Sequence, residues 1–319
     1  MRLQEVSGGR RKPDLKKLVL YNTKKKMSAN WKSSPFLALA ALVGITAVWG
    51  YTFLIVQSAV EVMPVMDFMA WRFTLAALIM LILRPKCLRG ITRLELLRGT
   101  GLGTVLGLGY IAQTYGLLYA SAAISGFITG MFVVLTPVMA WIILRHKTDR
   151  NTWLLVALAT VGVALLSLSG WSIGIGELLT LACAVLFAIH IVGLGEWSPL
   201  YDPYTFALLQ IATVGLISIV AAVPGGITLP PNSEVWTTIG ITAVFATALA
   251  FIVQTWAQSL VSPTRAAIVM TMEPVFAGLF AVVIGGEQLT FRTLLGGACI
   301  VAAMLIINLK SSRSTAQNI

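Results

Sequence analysis

Charged residues are scarce in this chain. Asp, Glu, Lys and Arg make up 11% of its 319 residues, against about 25% in an ordinary soluble domain. Hydrophobic residues make up 57%, and the mean hydropathy is +0.87. A soluble fold of this size could not bury so much apolar surface. Composition therefore excludes the soluble classes and predicts an all-α polytopic membrane protein.

Residue types that build metal, redox and nucleotide sites are also few. The chain has two histidines and three widely spaced cysteines, Cys87, Cys183 and Cys299. Their spacing fits no zinc or redox pattern, so we expect free thiols, no metal and no cofactor. Five glycines between residues 99 and 109 lie inside an apolar segment with no preceding strand, and no Walker motif is present. Close helix packing is their expected use, and ATP is not the expected driver.

The excess of basic residues does not indicate a nucleic-acid partner. The net charge is +11, but the lysines and arginines lie in short loops and one tail, without any reader motif. Residues 1–35 are polar and basic and lack the apolar core of a cleaved signal peptide. They predict a disordered cytoplasmic tail able to lie on anionic lipid. Met1 and Met27 are both candidate start residues.

Ten apolar segments of about 20 residues follow the tail, and they predict ten transmembrane helices. They are residues 36–59, 66–84, 99–118, 121–144, 151–169, 175–195, 204–223, 235–258, 264–284 and 290–309. Residues 310–319 then form a predicted cytoplasmic C-terminal tail.

Loop charge predicts the orientation of these helices. With a cytoplasmic N-terminus, the loops on the outside hold one basic residue, Arg292, and the remaining loop and tail bases lie inside. This asymmetry predicts that both termini are cytoplasmic. The exception is the inside loop 196–203, which has Glu196 and Asp202 and no base. The outside loops instead carry the acids Glu61, Asp67, Glu177, Glu234 and Glu287.

The sequence contains an internal repeat. Residues 113–137 resemble residues 254–274, which places Gln113 opposite Gln254. Trp49 similarly falls opposite Phe187, and Arg72 opposite Gln210. Each half, 36–170 and 174–309, would hold five spans, and an odd number of spans gives the halves opposite topology. Inverted repeats of this kind are typical of secondary transporters, with the site at the repeat interface.

Four motifs, taken in order, resemble the drug/metabolite transporter superfamily and its ten-helix EamA-type members. They are Trp49-Gly50-Tyr51-Thr52-Phe53, Arg72 in Trp71-Arg72-Phe73, Glu273-Pro274 and Gly286-Glu287. The resemblance covers about residues 36–309. It implies two inverted five-helix repeats around a central cavity that exports or imports small metabolites such as amino acids. Many relatives carry a lysine where this chain has Gln57, so anion binding is not carried over to that position.

Glu273 is the central candidate residue. In a single helix of about 21 residues it would lie near the middle of the bilayer. A charge there costs roughly 2.5–3.5 kcal/mol, so the side chain should face a partner or a wet cavity. Pro274 beside it predicts a kink and a freed carbonyl. Glu273 is then either a structural acid paired to another helix or part of a substrate or proton path.

Seven further residues are candidates for the cavity: Trp49, Thr52, Gln57, Arg72, Gln113, His190 and Gln254. Arg72 could pair with Glu273, bond a carbonyl or anchor to the outer headgroups. The glutamines either join helices or bond substrate. His190 either relays protons or is simply hydrogen-bonded. Trp49 offers an aromatic face for an amphipathic substrate or a cation.

The sequence therefore predicts a secondary transporter of small metabolites that works by alternating access. An exporter of amino acids or related amphipathic compounds in a bacterial inner membrane is the favoured form, coupled to protons through Glu273. Its partners would be the substrate and the lipid bilayer, with homo-oligomerisation left open. A membrane-embedded enzyme is an alternative, but it would need paired catalytic groups. A non-transporting scaffold or receptor would leave the inverted repeat unexplained.

Overall fold

The computed structural model describes residues 35–145, 150–169, 172–260, 266 and 269–317. Most of these residues are helical, and the predicted all-α class is confirmed. The predicted basic tail lies outside the described residues except for Pro35, with which the first helix begins.

Twelve helices are found in the described part of the chain. The first six are α1 (Pro35–Val60), α2 (Val65–Leu83), α3 (Arg93–Gly116), α4 (Ala122–Gly130), α5 (Phe132–Leu144) and α6 (Arg150–Ser167). The last six are α7 (Ile175–Trp197), α8 (Pro203–Ala222), α9 (Ser233–Ile241), α10 (Ala250–Leu260), α11 (Met272–Val283) and α12 (Phe291–Gln317). A π-helical segment, Thr242–Leu249, joins α9 to α10 and is called the π segment below. Two short 3-10 turns follow α7 and α8, at Ser198–Leu200 and Val223–Gly225.

Two very short strands lie between α6 and α7. Strand β1 (Leu168–Ser169) pairs antiparallel with β2 (Ser172–Ile173), with Leu168 opposite Ile173. The pair lies in the connection between the two predicted halves.

Six segments of the described chain are long and apolar enough to cross a membrane. They are Leu37–Val60, Val65–Leu83, Ala122–Leu144, Ile175–Leu200, Pro203–Gly225 and Ser233–Leu260. Four predicted spans remain. Shorter apolar helices cover three of them, and the glycine-rich helix α3 covers the span predicted at 99–118. The protein is therefore a multi-pass membrane protein, and the count of ten spans stays a prediction.

Polar side chains fix where several helices begin. Each accepts a hydrogen bond from a backbone N–H three residues later, which satisfies one of the free donors of the first turn. These N-caps are Thr92 for α3, Ser121 for α4, Asp202 for α8 and Asn232 for α9.

Helices of the two predicted halves pack directly against each other. Helix α2 contacts α8, α3 contacts α7 and α8, α6 contacts α12, and α1 contacts α11. A Cβ atom at Gly50 of α1 would lie 2.6 Å from the Cβ of Phe276 and 2.8 Å from the backbone nitrogen of Ala277. Glycine at this position therefore lets α1 and α11 approach closely.

The span predicted at 264–284 is interrupted where the sequence predicted a kink. Helix α11 begins at Met272, directly after a turn at Thr271, and Pro274 lies in its first turn. The first N–H groups of a helix have no intrahelical acceptor, so proline costs no hydrogen bond there. Met131 makes a similar break between α4 and α5.

The C-terminal helix is longer than predicted. Helix α12 runs to Gln317, so the residues expected to form a tail from 310 onward continue the last helix.

Candidate functional site

A cavity lies in the middle of the bundle. Its walls come from α1, α3 and α5 and from α7, α10 and α11, with Met270 just before α11. The space between its walls that is free of protein atoms, open mouth included, is about 470 Å³, and the centres of water-sized molecules can occupy about 40 Å³ of it. Both predicted halves of the chain therefore contribute to one small internal space.

Aromatic rings form much of the wall: Trp49, Phe53, Tyr110, Phe132, Phe187 and Phe251. The ring centroid of Tyr110 lies 5.2 Å from that of Phe187 and 6.2 Å from that of Phe251. Gly109 makes room for the Phe187 ring, because a Cβ there would lie 2.6 Å from Phe187 Cε1. Tilted contacts at these distances hold the rings in place and leave ring surface for a ligand.

Two cavity residues of α1 already use their hydrogen-bond donors. Trp49 Nε1 donates to the carbonyl of Ala246 in the π segment at 2.9 Å. The Thr52 hydroxyl donates to the Trp49 carbonyl at 2.7 Å. The first bond ties α1 to the π segment, and helices of this rare type occur frequently at functional sites.

His190 is held by Gln210, a residue of α8. Gln210 Nε2 donates to the Phe206 carbonyl at 2.9 Å, so its Oε1 is left to accept. That oxygen lies 2.7 Å from His190 Nε2, which must therefore carry the proton. In a neutral imidazole the other nitrogen, Nδ1, is then an acceptor.

The two glutamines that the repeat placed opposite each other both line the cavity. Gln113 Nε2 donates to the Thr129 hydroxyl at 3.3 Å. Gln254 is 3% exposed, and its Oε1 has no hydrogen-bond partner among the described residues. A buried amide without partners is costly, so Gln254 is a site where a ligand atom would be favoured.

Glu273 lies in the first turn of α11 and faces the same cavity. It is 6% exposed. None of the hydrogen bonds between described residues reaches its carboxylate. The positive end of a helix favours a carboxylate in the first turn, but no cation pairs with it in the described part of the chain. Tyr110 and Cys183 are near enough to interact electrostatically with it.

Arg72 is buried behind the cavity wall. Its Nε donates to the Thr247 hydroxyl at 2.9 Å, and its guanidinium carbon lies 4.9 Å and 5.1 Å from the ring centroids of Phe73 and Tyr110. The pairing with Glu273 that the sequence allowed is not formed among the described residues, and neither is an anchor at the surface. Because α2 packs against the π segment, Thr247 is within reach instead.

Gln57 also lies outside the cavity lining. Its Nε2 donates to the carbonyls of Leu117 and Ala120 at 3.2 and 3.3 Å. Of its two predicted uses, the structure shows the joining of helices. The six other candidates, Trp49, Thr52, Gln113, His190, Gln254 and Glu273, line the cavity together.

Sequence reasoning missed several lining residues, above all Tyr110, Phe132 and Phe251. An aromatic residue in an apolar run looks the same whether it faces lipid, core or cavity. The only available signal was the Tyr110 hydroxyl, a polar atom among the glycines of α3. Among the described residues, no three His, Cys, Asp or Glu side chains are grouped so that they could hold a metal ion.

Comparison with known sequences identifies the family. The sequence profile of the EamA-like transporter family matches residues 36–168 and again residues 174–309. The chain belongs to the EamA-like transporter family. The predicted resemblance to the drug/metabolite transporter superfamily is thereby confirmed.

Individual relatives of this EamA-family protein are also named as transporters. An uncharacterized transporter of Archaeoglobus fulgidus is 35% identical over 275 residues, covering 86% of this chain and 85% of that protein. The uncharacterized inner membrane transporter YedA of Escherichia coli (strain K12) is 24% identical over 278 residues, covering 84% and 90%. A solved crystal structure shares the fold with a TM-score of 0.61 at 18% identity, covering 86% of this chain and 98% of that one.

Proposed function

We propose that this protein is a secondary transporter that works by alternating access between two inverted five-helix halves. The observation that carries the proposal is the central cavity, because its polar lining comes from both halves, with Gln113 on one side and Gln254 on the other. Secondary transporters with inverted repeats place their site at such an interface. The halves would be residues 36–170 and 174–309.

The packing of the helices supports a two-fold relation between the halves. The first to fifth predicted spans correspond to the sixth to tenth. When each span is exchanged with its counterpart, the main helix contacts of one half become those of the other. The contact of α1 with α11 corresponds to that of α4 and α5 with α7, and α3 with α7 corresponds to α10 with α1. The contacts of α2 with α8 and of α6 with α12 map onto themselves.

Glu273 would couple transport to protons. A carboxylate that faces a small cavity without a partner can hold either a proton or a cationic substrate group, and the two exclude each other. Exchange of one for the other across the membrane is antiport. The titratable groups that face Glu273 from neighbouring helices are Tyr110 on α3 and Cys183 and His190 on α7.

The substrate would be a small amphipathic metabolite, an amino acid or a related compound, and export is the direction that the family resemblance favours. With both termini in the cytoplasm, the end of the bundle where α2 meets α3 would face inside. The aromatic wall supports a substrate with an apolar body, and the buried polar groups support one with a polar or charged end.

Transport by the purified protein in liposomes tests the proposal. Uptake of radiolabelled amino acids and amines is measured with and without an imposed pH gradient. We expect a gradient to accelerate uptake of at least one compound and Glu273→Gln to abolish that acceleration. Glu61→Gln, which neutralises an exposed loop acid, is the matched control and should behave as the unaltered protein. Uptake that is indifferent to Glu273→Gln would remove the coupling, and no uptake of any compound would contradict the function.

A further inference from the structure

Among the polar atoms around the cavity, most N–H and O–H donors already make hydrogen bonds, whereas several acceptors do not. Trp49 and Thr52 donate to backbone carbonyls. Gln113 donates to Thr129, and His190 donates to Gln210. After these bonds, Gln113 and His190 each keep an acceptor atom without a hydrogen-bond partner among the described residues, Oε1 and Nδ1.

Four acceptor groups from four different helices remain. They are Gln113 Oε1 on α3, His190 Nδ1 on α7, Gln254 Oε1 on α10 and the Glu273 carboxylate on α11. The Gln254 oxygen is buried and unpartnered among the described residues, and the Glu273 carboxylate lacks a counter-ion there. These acceptors lack hydrogen-bond donors and a positive charge, and a cation with several N–H groups would supply both.

We propose that the cavity selects a protonated amine with an aromatic or similarly flat apolar body and without a carboxylate. This inference rests on the proposed transport function and narrows its substrate class from amino acids and related compounds to amines that lack the carboxylate. The ammonium group has three donors and no acceptor. It would pair with Glu273 and donate to His190 Nδ1 and Gln254 Oε1.

The aromatic wall complements such a ligand. A cation within about 6 Å of a ring centroid is attracted by the negative face of the ring. The ring centroid of Tyr110 lies 5.2 Å from that of Phe187 and 6.2 Å from that of Phe251, and all three residues line the same cavity as the acceptors. They offer apolar contact to the body of the ligand and ring faces to its charged end.

A zwitterionic amino acid fits this cavity less well. Its carboxylate would enter beside the Glu273 carboxylate, and the lining donors left to bind it are the Tyr110 hydroxyl and the Gln254 amide, with no Lys or Arg among the described lining residues. The nearest buried cation in the described part of the chain is Arg72, whose Nε bonds Thr247 and whose guanidinium is covered by the rings of Phe73 and Tyr110. An unpaired buried carboxylate is strongly disfavoured, so the structure predicts discrimination against it.

The test compares three compounds that share one phenyl ring: phenethylamine, phenylalanine and 3-phenylpropionate. Binding to the purified full-length protein in lipid nanodiscs is measured by titration calorimetry, and transport of the same compounds is measured in proteoliposomes. We expect phenethylamine to bind at least about tenfold more tightly than phenylalanine, a difference of one decade in Kd. The propionate should not bind in the millimolar range.

Two variants tie the selectivity to the acceptors. Glu273→Gln should lower the affinity for phenethylamine by about tenfold or more, and Gln254→Leu should lower it while the unfolding midpoint stays unchanged. Glu61→Gln should leave the affinity as it is. If Glu273→Gln does not fold, the comparison of the three compounds on the unaltered protein still decides.

The outcomes separate this inference from the function on which it rests. Binding or transport of phenylalanine as strong as that of phenethylamine would overturn the amine selectivity and leave the transporter in place. Absence of phenethylamine binding would overturn the amine selectivity, whereas absence of transport for every amino acid and amine of the wider panel would overturn the transporter function. Tight phenethylamine binding without transport would uphold the selectivity and contradict the function.

Discussion

The contact between α1 and α11 at Gly50 gives the sharpest stability prediction. Replacing Gly50 with alanine would place a methyl group 2.6 Å from the Phe276 Cβ and 2.8 Å from the Ala277 nitrogen. Carbon atoms pack at about 3.5–4.0 Å, so the two helices would have to separate by about 1 Å. The Ala277 contact is with a backbone nitrogen, which cannot move aside as the end of a flexible side chain would.

The magnitude follows from two opposing effects. Overpacking of this kind typically costs about 1–3 kcal/mol. Exchange of glycine for alanine inside a helix gains about 0.5–1 kcal/mol. Gly44 lies in the same helix, and a Cβ there has no atom within 4 Å, so Gly44→Ala carries the gain without the cost. We expect Gly50→Ala to be less stable than Gly44→Ala by about 1–3 kcal/mol.

The assay is denaturant unfolding of both variants in mixed micelles, together with substrate binding. Because Phe276 lies one residue beyond the first turn that holds Glu273, separation of the helices should also weaken binding in Gly50→Ala. Equal unfolding free energies for the two variants, within about 0.5 kcal/mol, would refute the reasoning. So would unchanged binding in a Gly50→Ala protein that is clearly destabilised.

Three further predictions rest on single contacts. The Arg84–Asp202 ion pair has side chains 51% and 44% exposed, so Arg84→Ala should cost no more than about 1 kcal/mol of unfolding free energy, whereas Asp202→Ala should cost more because it also removes the N-cap of α8. Arg72→Lys loses the bond to Thr247 and the ring contacts, and should cost about 1–3 kcal/mol without changing the amine selectivity. Burial raises the pKa of the Cys87 thiol, so maleimide labelling at pH 8 should be slower than for a free thiol; equal rates would contradict this.

The membrane class, the family and the grouping of several polar candidates around one cavity could be predicted from the sequence. A polar side chain in an apolar span stands out, because it must find partners or water. That rule selected Gln113, His190, Gln254 and Glu273, which line one cavity, and it also selected Gln57 and Arg72, which do not. Whether they bind substrate stays a prediction.

Partners and helix breaks could not be predicted in the same way. Arg72 bonds Thr247, a residue 175 positions away in the chain, and only the packing of α2 on the π segment decides that choice. The π segment itself has no sequence signal, since its residues would also suit an α-helix. Pro274 signals a disturbance, but not that the helix begins just before it.

The loop acids illustrate how far charge alone can be interpreted. Most acidic loops are predicted to face outside, because basic loops face the cytoplasm. The acidic loop 196–203, predicted to lie inside, is the exception to this pattern. The structure explains the exception, because Asp202 pairs with Arg84 at the end of α2 and caps α8. Because Asp202 forms an ion pair with a nearby base, its negative charge is compatible with a cytoplasmic loop.

The two ends of α2 are tied to the other half by contacts of different strength. At its start, buried Asp67 accepts from the backbone N–H and the hydroxyl of Thr228. At its end, the pair of Arg84 and Asp202 is about half exposed. Breaking a buried carboxylate contact leaves an unsatisfied charge, whereas an exposed pair exchanges its partner for water at little cost. The charged pair at the Arg84 end would therefore break at a lower free energy than the Asp67 contact, but the Tyr204 hydroxyl, which donates to the Met80 carbonyl at 2.6 Å, still ties that end of α2 to α8.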